Sequence, residues 1–243
     1  MTAPDGTGRI ILDHVDSTNA EALRRAGSGA ALPLWVMARR QSAGRGRRGR
    51  GWAMPEGNLA ASLVMPAPPA PLAALRSFTA ALAVHDACVA AGVPARRLAL
   101  KWPNDVLLDG GKLAGILLES DGRHLVVGIG VNLAAHPPAE ALEAGALAPA
   151  RLADAVPAPA PEAFLDRLAA AFAAREAQLA GQGFAPVRAA WLARAARLGE
   201  TVTARMPGAS VSGRFAGLDD SGALLLDTPG GRRLIAAAEI HFA

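Results

Sequence analysis

At 243 residues, 51% of them hydrophobic, the chain is long enough for one substantial domain and a small second one. Its net charge of +4 makes the basicity local, which argues against a generic nucleic-acid coat with positive charge spread over one face. The single cysteine, Cys88, excludes a disulfide framework and reads as a small buried hydrophobe. The N-terminus has no basic or apolar leader pattern, and every long apolar run is interrupted by Pro, Gly or charge, so a soluble, cytoplasmic protein is expected.

In chain order, Arg9-Ile-Ile-Leu12 reads as a strand. Thr18 and Glu21 have capping-box spacing and predict a helix opening at Asp16-Ser-Thr-Asn19. On residues alone a helix cap is the favoured role for Ser17, Thr18 and Asn19, although a helix N-terminus is also an anion or carbonyl site. Leu34–Ala38 and Leu59–Met65 are strands on either side of a loop. Pro66–Pro71 is a break, and Leu72–Ala91 is an alanine-rich helix. Arg97–Leu108 is strand, a kink at Pro103, then strand again. Asp109-Gly-Gly is a hairpin turn, Lys112–Glu119 the return strand, and His124–Asn132 the next. In that last strand Val127, Ile129 and Val131 share a core face, while Gly128, Gly130 and Asn132 share the other. A strand face without bulk implies that another backbone or a ligand lies against it. Residues 134–161 are Ala/Pro-rich, with one short helix expected at 139–144. Pro161–Gly181 and Phe184–Leu198 read as helices, and short β runs after Gly199 form a small all-β module of the barrel kind.

The loop Gln41-Ser-Ala-Gly-Arg-Gly-Arg-Arg-Gly-Arg-Gly-Trp52 sets four arginines among four glycines between Gly44 and Gly51. Arginine forks match carboxylate and phosphate oxygens in pairs, so the loop reads as a mobile anion-grasping segment. Gly44-Arg-Gly-Arg-Arg-Gly49 formally matches a dinucleotide fingerprint, but a strand follows instead of a helix. No Asp or Glu occurs from Gly57 through His85, so that reading is rejected.

Lys101 and Lys112 are the only lysines in the chain, and they flank Trp102-Pro-Asn-Asp105 on adjacent strands. One reading makes them guards of an edge hairpin. The other sets them, with Asp105, facing a ligand anion, since a lysine on an apolar strand is costly to bury otherwise. The latter reading also gives Trp102-Pro-Asn104 a purpose. Histidines are scattered and no Cys/His cluster suggests zinc; no resident metal is assigned. Together these parts suit transfer of a nucleotide phosphoryl group onto a small acid.

Asp16-Ser-Thr-Asn19, Gln41–Arg50, Trp52 with Pro55-x-Gly-Asn-Leu59, Lys101-Trp-Pro-Asn-Asp105, Lys112-Leu-Ala-Gly115 and Gly128-Ile-Gly-Val-Asn132 occur in the order found in the biotin protein ligases. The chain resembles that family by motif over roughly residues 10 to 135, and the set is specific where single pieces are weak. The resemblance implies an α+β fold: a catalytic domain similar to class II aminoacyl-tRNA synthetases, with a mixed sheet (residues 1–197), and an SH3-like C-terminal domain (198–243). It implies two steps. Biotin and ATP, with Mg²⁺, give biotinyl-5′-AMP and pyrophosphate; a lysine of a biotin carboxyl carrier protein of acetyl-CoA carboxylase or a related carboxylase then takes the biotinyl group.

Carried over by motif, Ser17, Thr18, Asn19 and Gln41 would lie at the biotin rings, with Gly115, Gly128 and Gly130 lining their approach. Arg45, Gly46 and Arg47 would clamp the biotin carboxylate and the adenylate phosphate, and Lys112 would stabilise the reacting oxygens. Trp52 would stack on adenine; Lys101, Asn104 and Asn132 would hold the nucleotide, the two asparagines being candidates for Mg²⁺ as well. Asp105 would orient the acceptor lysine. The loop would act as a lid that keeps water from the mixed anhydride.

In place of an aromatic the family often has after Asn58-Leu59, this chain has Ala-Ala-Ser, which predicts looser local packing. The chain starts close to the first catalytic strand, so the monofunctional type is expected, acting as monomer or homodimer without DNA or membrane partners. Two rivals are a lipoate–protein ligase and a nucleic-acid-binding protein using the arginine loop and the β module.

Overall fold

A computed structural model describes residues 6–138 and 147–242. Strands β1 (Gly8–Val15), β2 (Leu34–Gln41), β3 (Leu59–Pro66), β4 (Leu98–Lys101), β5 (Asp105–Leu108), β6 (Gly111–Ser120) and β7 (His124–Val131) form one sheet in the order β1-β2-β3-β7-β6-β5-β4. Only β1 and β2 run parallel, so the sheet is mixed. The β5–β6 turn places Asp109 at φ 49° and Gly110 at φ 82°, the left-handed pair that a tight hairpin needs.

The two faces of β7 divide as its alternation predicts on the core side. Val127, Ile129 and Val131 are buried in the main core with helices α3 (Arg76–Ala90), α4 (Pro161–Gln182) and α5 (Phe184–Leu192). On the opposite face, helix α1 (Thr18–Gly27) packs Ala22 and Ala26 against Leu34, Val36, Val64 and Val126. Helix α1 covers that face over β2, β3 and part of β7, and Gly115 of β6 and Gly128 and Gly130 of β7 line a cleft beside it.

Several boundaries differ from the sequence expectation. The helix expected at 72–91 begins earlier and divides at Leu75 into α2 (Ala70–Ala74) and α3. Its 21-residue stretch Ala70–Ala90 is long and apolar enough to cross a membrane by length and composition, yet α3 packs against α4 and the sheet. Helix α5 stops at Leu192, and residues 194–196 turn back to pair with β4: Leu100 N–H donates to Arg194 O and Ala196 N–H to Leu100 O, both at 2.8 Å. That pairing covers the edge of β4 and overturns the edge-guard reading of the hairpin. Ala60, Ala61 and Ser62 are all buried, and Ala60 lines the cleft beside α1. The short helix expected at 139–144 lies outside the described residues.

Strands β8 (Thr201–Met206), β9 (Ala209–Leu218), β10 (Leu224–Thr228), β11 (Gly231–Ile235) and β12 (Glu239–Phe242) form a second, antiparallel sheet ordered β11-β10-β9-β8-β12. Short, mixed-polarity β12 had no sequence signal. Trp102 fastens the two sheets together, its indole N–H donating to Gly222 O at 3.0 Å. Gly222 has φ +82°, and a Cβ there would lie 2.5 Å from the Phe78 ring, so glycine is required by both backbone and packing. The aromatic of Trp-Pro-Asn is therefore a joint between the sheets.

Candidate active site

The cleft over β6 and β7 has a closed end built from hydroxyls and amides. Ser17 is the N-cap residue of α1, with extended backbone, but its own side chain makes no capping hydrogen bond, and the capping box expected of Thr18 and Glu21 does not form. Glu21 pairs with Arg24 and Arg25 instead. The role of the missing cap falls to Gln41, whose Oε1 accepts from Thr18 N–H at 2.7 Å and from Thr18 Oγ1 at 3.1 Å. Buried Ser62 lies 2.8 Å from Thr18 Oγ1 and 2.6 Å from Asn19 Oδ1, and Asn19 Nδ2 donates to Glu119 Oε2 at 2.7 Å. These side chains are thus turned away from capping and toward the cleft.

The glycine face carries side chains of the protein itself. A Cβ at Gly128 would overlap the Asn19 amide, and one at Gly130 would lie 2.5 Å from the Trp52 indole. Gly115, opposite Gly130 in the β6–β7 register, would meet Trp52 at 3.1 Å. Trp52 therefore lies flat over two strands, where the sequence reading left room for another backbone or a ligand.

At the charged end, six cationic side chains (Arg45, Arg47, Arg48, Arg50, Lys101 and Lys112) line the cleft against two carboxylates, Asp105 and Glu239. Asp105 Oδ1 is 2.8 Å from Lys112 Nζ, and Asp105 Oδ2 is 4.0 Å from Lys101 Nζ. Lys101 is buried, and burial pushes its ammonium pKa below the ordinary lysine range despite the opposing pull of Asp105. Burial likewise lowers the Arg47 guanidinium pKa, with Arg48 adding repulsion; it donates to the neutral Asn104 Oδ1 at 3.4 Å and to Ala238 O at 3.5 Å. Cations held this way favour an anionic ligand over water.

The C-terminal sheet completes the cleft. Glu239 accepts from Arg50 at 2.7 and 2.8 Å and lies 3.6 Å from Arg48; hydrogen bonds from Arg50 hold its carboxyl at about 2. Ile240 lines the wall, and Phe242 sits 5.6 Å from Lys101 Nζ. An adjoining outer compartment shares Arg50, Trp52, Lys101, Asp105 and Lys112, and opens past Met54, Pro149 and His241.

The structure thus brings together Ser17, Thr18, Asn19, Gln41, Arg45, Gly46, Arg47, Trp52, Lys101, Asn104, Asp105, Lys112, Gly115, Gly128 and Gly130 around one cleft. Asn132 stands apart on the outer compartment. Its amide donates to Ala150 O at 3.0 Å, and Asn104 Nδ2 donates to Ile116 O at 2.8 Å, so both amide nitrogens strap the walls together. Sequence reasoning missed Ser62, Glu119 and Glu239. Glu119 had a signal, since Gly115, Leu117 and Glu119 alternate onto the glycine face; Glu239 had none.

A mixed sheet carrying a cation-rich cleft beside an arginine loop suits a ligase that handles anionic substrates. Residues 13–133 match the model of the Biotin/lipoate A/B protein ligase family, and residues 198–242 that of the Biotin protein ligase C terminal domain. The chain is 56% identical to a biotin–[acetyl-CoA-carboxylase] ligase of Paracoccus denitrificans, over 96% of this chain and 99% of that protein. It is 37% identical to the ligase of the same name from Mycobacterium tuberculosis, over 96% and 89%. The biotin protein ligase of Aquifex aeolicus, solved in complex with biotin and ATP, superposes with a TM-score of 0.82 at 25% identity, over 96% and 97% of the chains. The chain belongs to the biotin protein ligase family.

Proposed function

We propose that this enzyme joins biotin to a lysine of the biotin carrier of acetyl-CoA carboxylase in two ATP-driven steps within the one cleft. In the first, a biotin carboxylate oxygen attacks the α-phosphorus of ATP and pyrophosphate leaves. In the second, the carrier lysine's amine attacks the acyl carbon and AMP leaves. The observation that carries this reading is the polarity of the cleft: neutral hydroxyls and amides at one end, a surplus of cations at the other. Such an arrangement suits a small acid with an uncharged polar head pressed against a triphosphate, where neutralising charge and aligning reactants are the main tasks.

In this reading Thr18, Asn19 and Gln41 face the biotin rings, and Arg45, Arg47 and Lys112 face the carboxylate and phosphate. Trp52 and Lys101 serve the nucleotide, and Asp105, between both lysines, orients the acceptor amine. Among the described residues no group of three or more His, Cys, Asp or Glu could hold a metal ion. Magnesium then enters as the ATP complex, carried chiefly by phosphate oxygens and water. The mixed sheet backed by helices supports a class II synthetase-like catalytic unit over 1–197, and the five-stranded antiparallel sheet supports an SH3-like unit over 198–243. A lone, buried cysteine supports a reducing, cytoplasmic setting.

Pyrophosphate exchange with biotin, lipoate and octanoate tests the first step, with exchange expected for biotin. Exchange with lipoate alone overturns the reading. Mass spectrometry of a biotin carrier domain incubated with enzyme, biotin and MgATP tests the second, with the mass of one biotinyl group expected.

A further inference from the structure

We propose that Glu119 is a positioning residue that uses one carboxylate oxygen to orient the ring-end amide of Asn19 and to park the lid residue Arg45 beside it. The inference rests on the reading of the closed end as the biotin-ring end.

Glu119 Oε2 accepts from Asn19 Nδ2 at 2.7 Å and from Arg45 at 3.2 Å. A carboxylate only accepts, so it decides which end of the Asn19 amide faces it. Ser62 Oγ, 2.6 Å from Asn19 Oδ1, supplies the matching donor on the other side. Asn19 and Ser62 are both buried, and the amide lies against Gly128, where no Cβ could fit. Rotating the amide would set two acceptors against each other at Glu119 and leave Ser62 facing an N–H group. The carboxylate therefore determines which hydrogen-bonding pattern Asn19 offers a ligand.

The second contact differs in kind. Arg45 is 45% exposed, and a solvent-facing ion pair is weak. An arriving carboxylate can take Arg45 from Glu119, while the buried Asn19 contact stays. Glu119 thus fixes ring recognition permanently and holds the lid arginine only until the ligand's own anion replaces it. The pairing of β6 with β7 makes this possible: Glu119 stands opposite Val126, on the same face as Gly128 and Asn19.

The test compares Glu119→Ala, Glu119→Gln and Asn19→Ala by pyrophosphate exchange, thermal melting and limited proteolysis of the 45–50 loop. Glu119→Ala is expected to raise KM for biotin about tenfold, the loss of one oriented hydrogen bond, with kcat and KM for ATP within about twofold. Glu119→Gln, which can still present an oxygen to Asn19, is expected to recover most of that loss. In both variants the ligand-free loop is cut faster, because Arg45 has lost its charged partner. Glu119→Ala placed on Asn19→Ala should add nothing further to KM for biotin, because the amide it orients is already gone.

An unchanged biotin KM in Glu119→Ala, or equal losses in the Ala and Gln variants, overturns the orienting role. Unchanged loop cleavage in Glu119→Gln overturns the parking role. Should Glu119→Ala not fold, Glu119→Gln still decides the parking role by cleavage, and an Asn19→Ala biotin KM no higher than that of Glu119→Gln overturns the orienting role. Absence of biotin-dependent exchange in the unaltered chain would instead sink the substrate reading, leaving cleavage rates to judge Glu119.

Discussion

Arg50 and Glu239 meet through two hydrogen bonds of 2.7 and 2.8 Å although 189 residues separate them in the chain. Arg50 belongs to the loop between β2 and β3, and Glu239 opens the last strand of the C-terminal sheet. The arginine loop beside the cleft is thus fastened to the second sheet, which also supplies Ile240 to the cleft wall.

Removing that fastening should loosen the lid. Glu239→Ala is expected to raise KM for ATP about tenfold and to speed proteolysis at Arg45–Arg50, with thermal stability little changed, because a bidentate charged pair is worth on the order of 1 kcal/mol at a surface. The native pair should also show its charge in acid. The Glu239 carboxyl is lowered from 4.5 to about 2, so its contribution is complete above the ordinary value and lost as pH falls toward about 2. Cleavage rates that match the unaltered protein would contradict the latch.

The glycines of β7 offer a separation of the two ends of the cleft. Gly128→Ala pushes on Asn19 and should raise KM for biotin. Gly130→Ala pushes on Trp52 and should act on KM for ATP. Each is expected to shift its own substrate by about tenfold or more, the cost of overpacking being roughly 1–3 kcal/mol. Steady-state kinetics of the pair check this, and a common effect on both substrates would undo the assignment.

Lys112 is partly exposed and 2.8 Å from Asp105, and its Nζ lies 5.6 Å from the Trp52 ring centroid. Lys112→Ala should lower the exchange rate by about 10²–10³ while leaving the melting temperature within a few degrees, because the lysine serves a ligand anion more than the fold. Exchange at the unaltered rate would remove it from the reaction.

Cys88 tests the core. Burial raises its thiol pKa from 9.0 to about 12, so the folded protein keeps the proton after an unfolded chain has lost it. Alkylation in native buffer at neutral pH should therefore be negligible and become rapid on unfolding. Stability should decline as pH rises from about 9 toward 12, the sign expected for a raised pKa. Mass spectrometry after iodoacetamide treatment measures the first, and melting curves across that range the second.

The sequence by itself determined the strands of the catalytic sheet, the alternation of β7, the Asp109-Gly110 hairpin and the residues gathered at the cleft. Those features rest on local periodicity, turn chemistry and motif order, which are written within a few residues of one another. Only the tertiary structure decided what those residues do to each other. Gln41 takes the place of a helix cap for Thr18; Asn19 and Trp52 occupy the space left by Gly128 and Gly130; Trp102 joins two sheets. Each of these contacts links segments far apart in the chain, so no local pattern encodes them. The clearest case is Glu239, one carboxylate on a four-residue strand, whose role exists only because folding brings the second sheet onto the arginine loop.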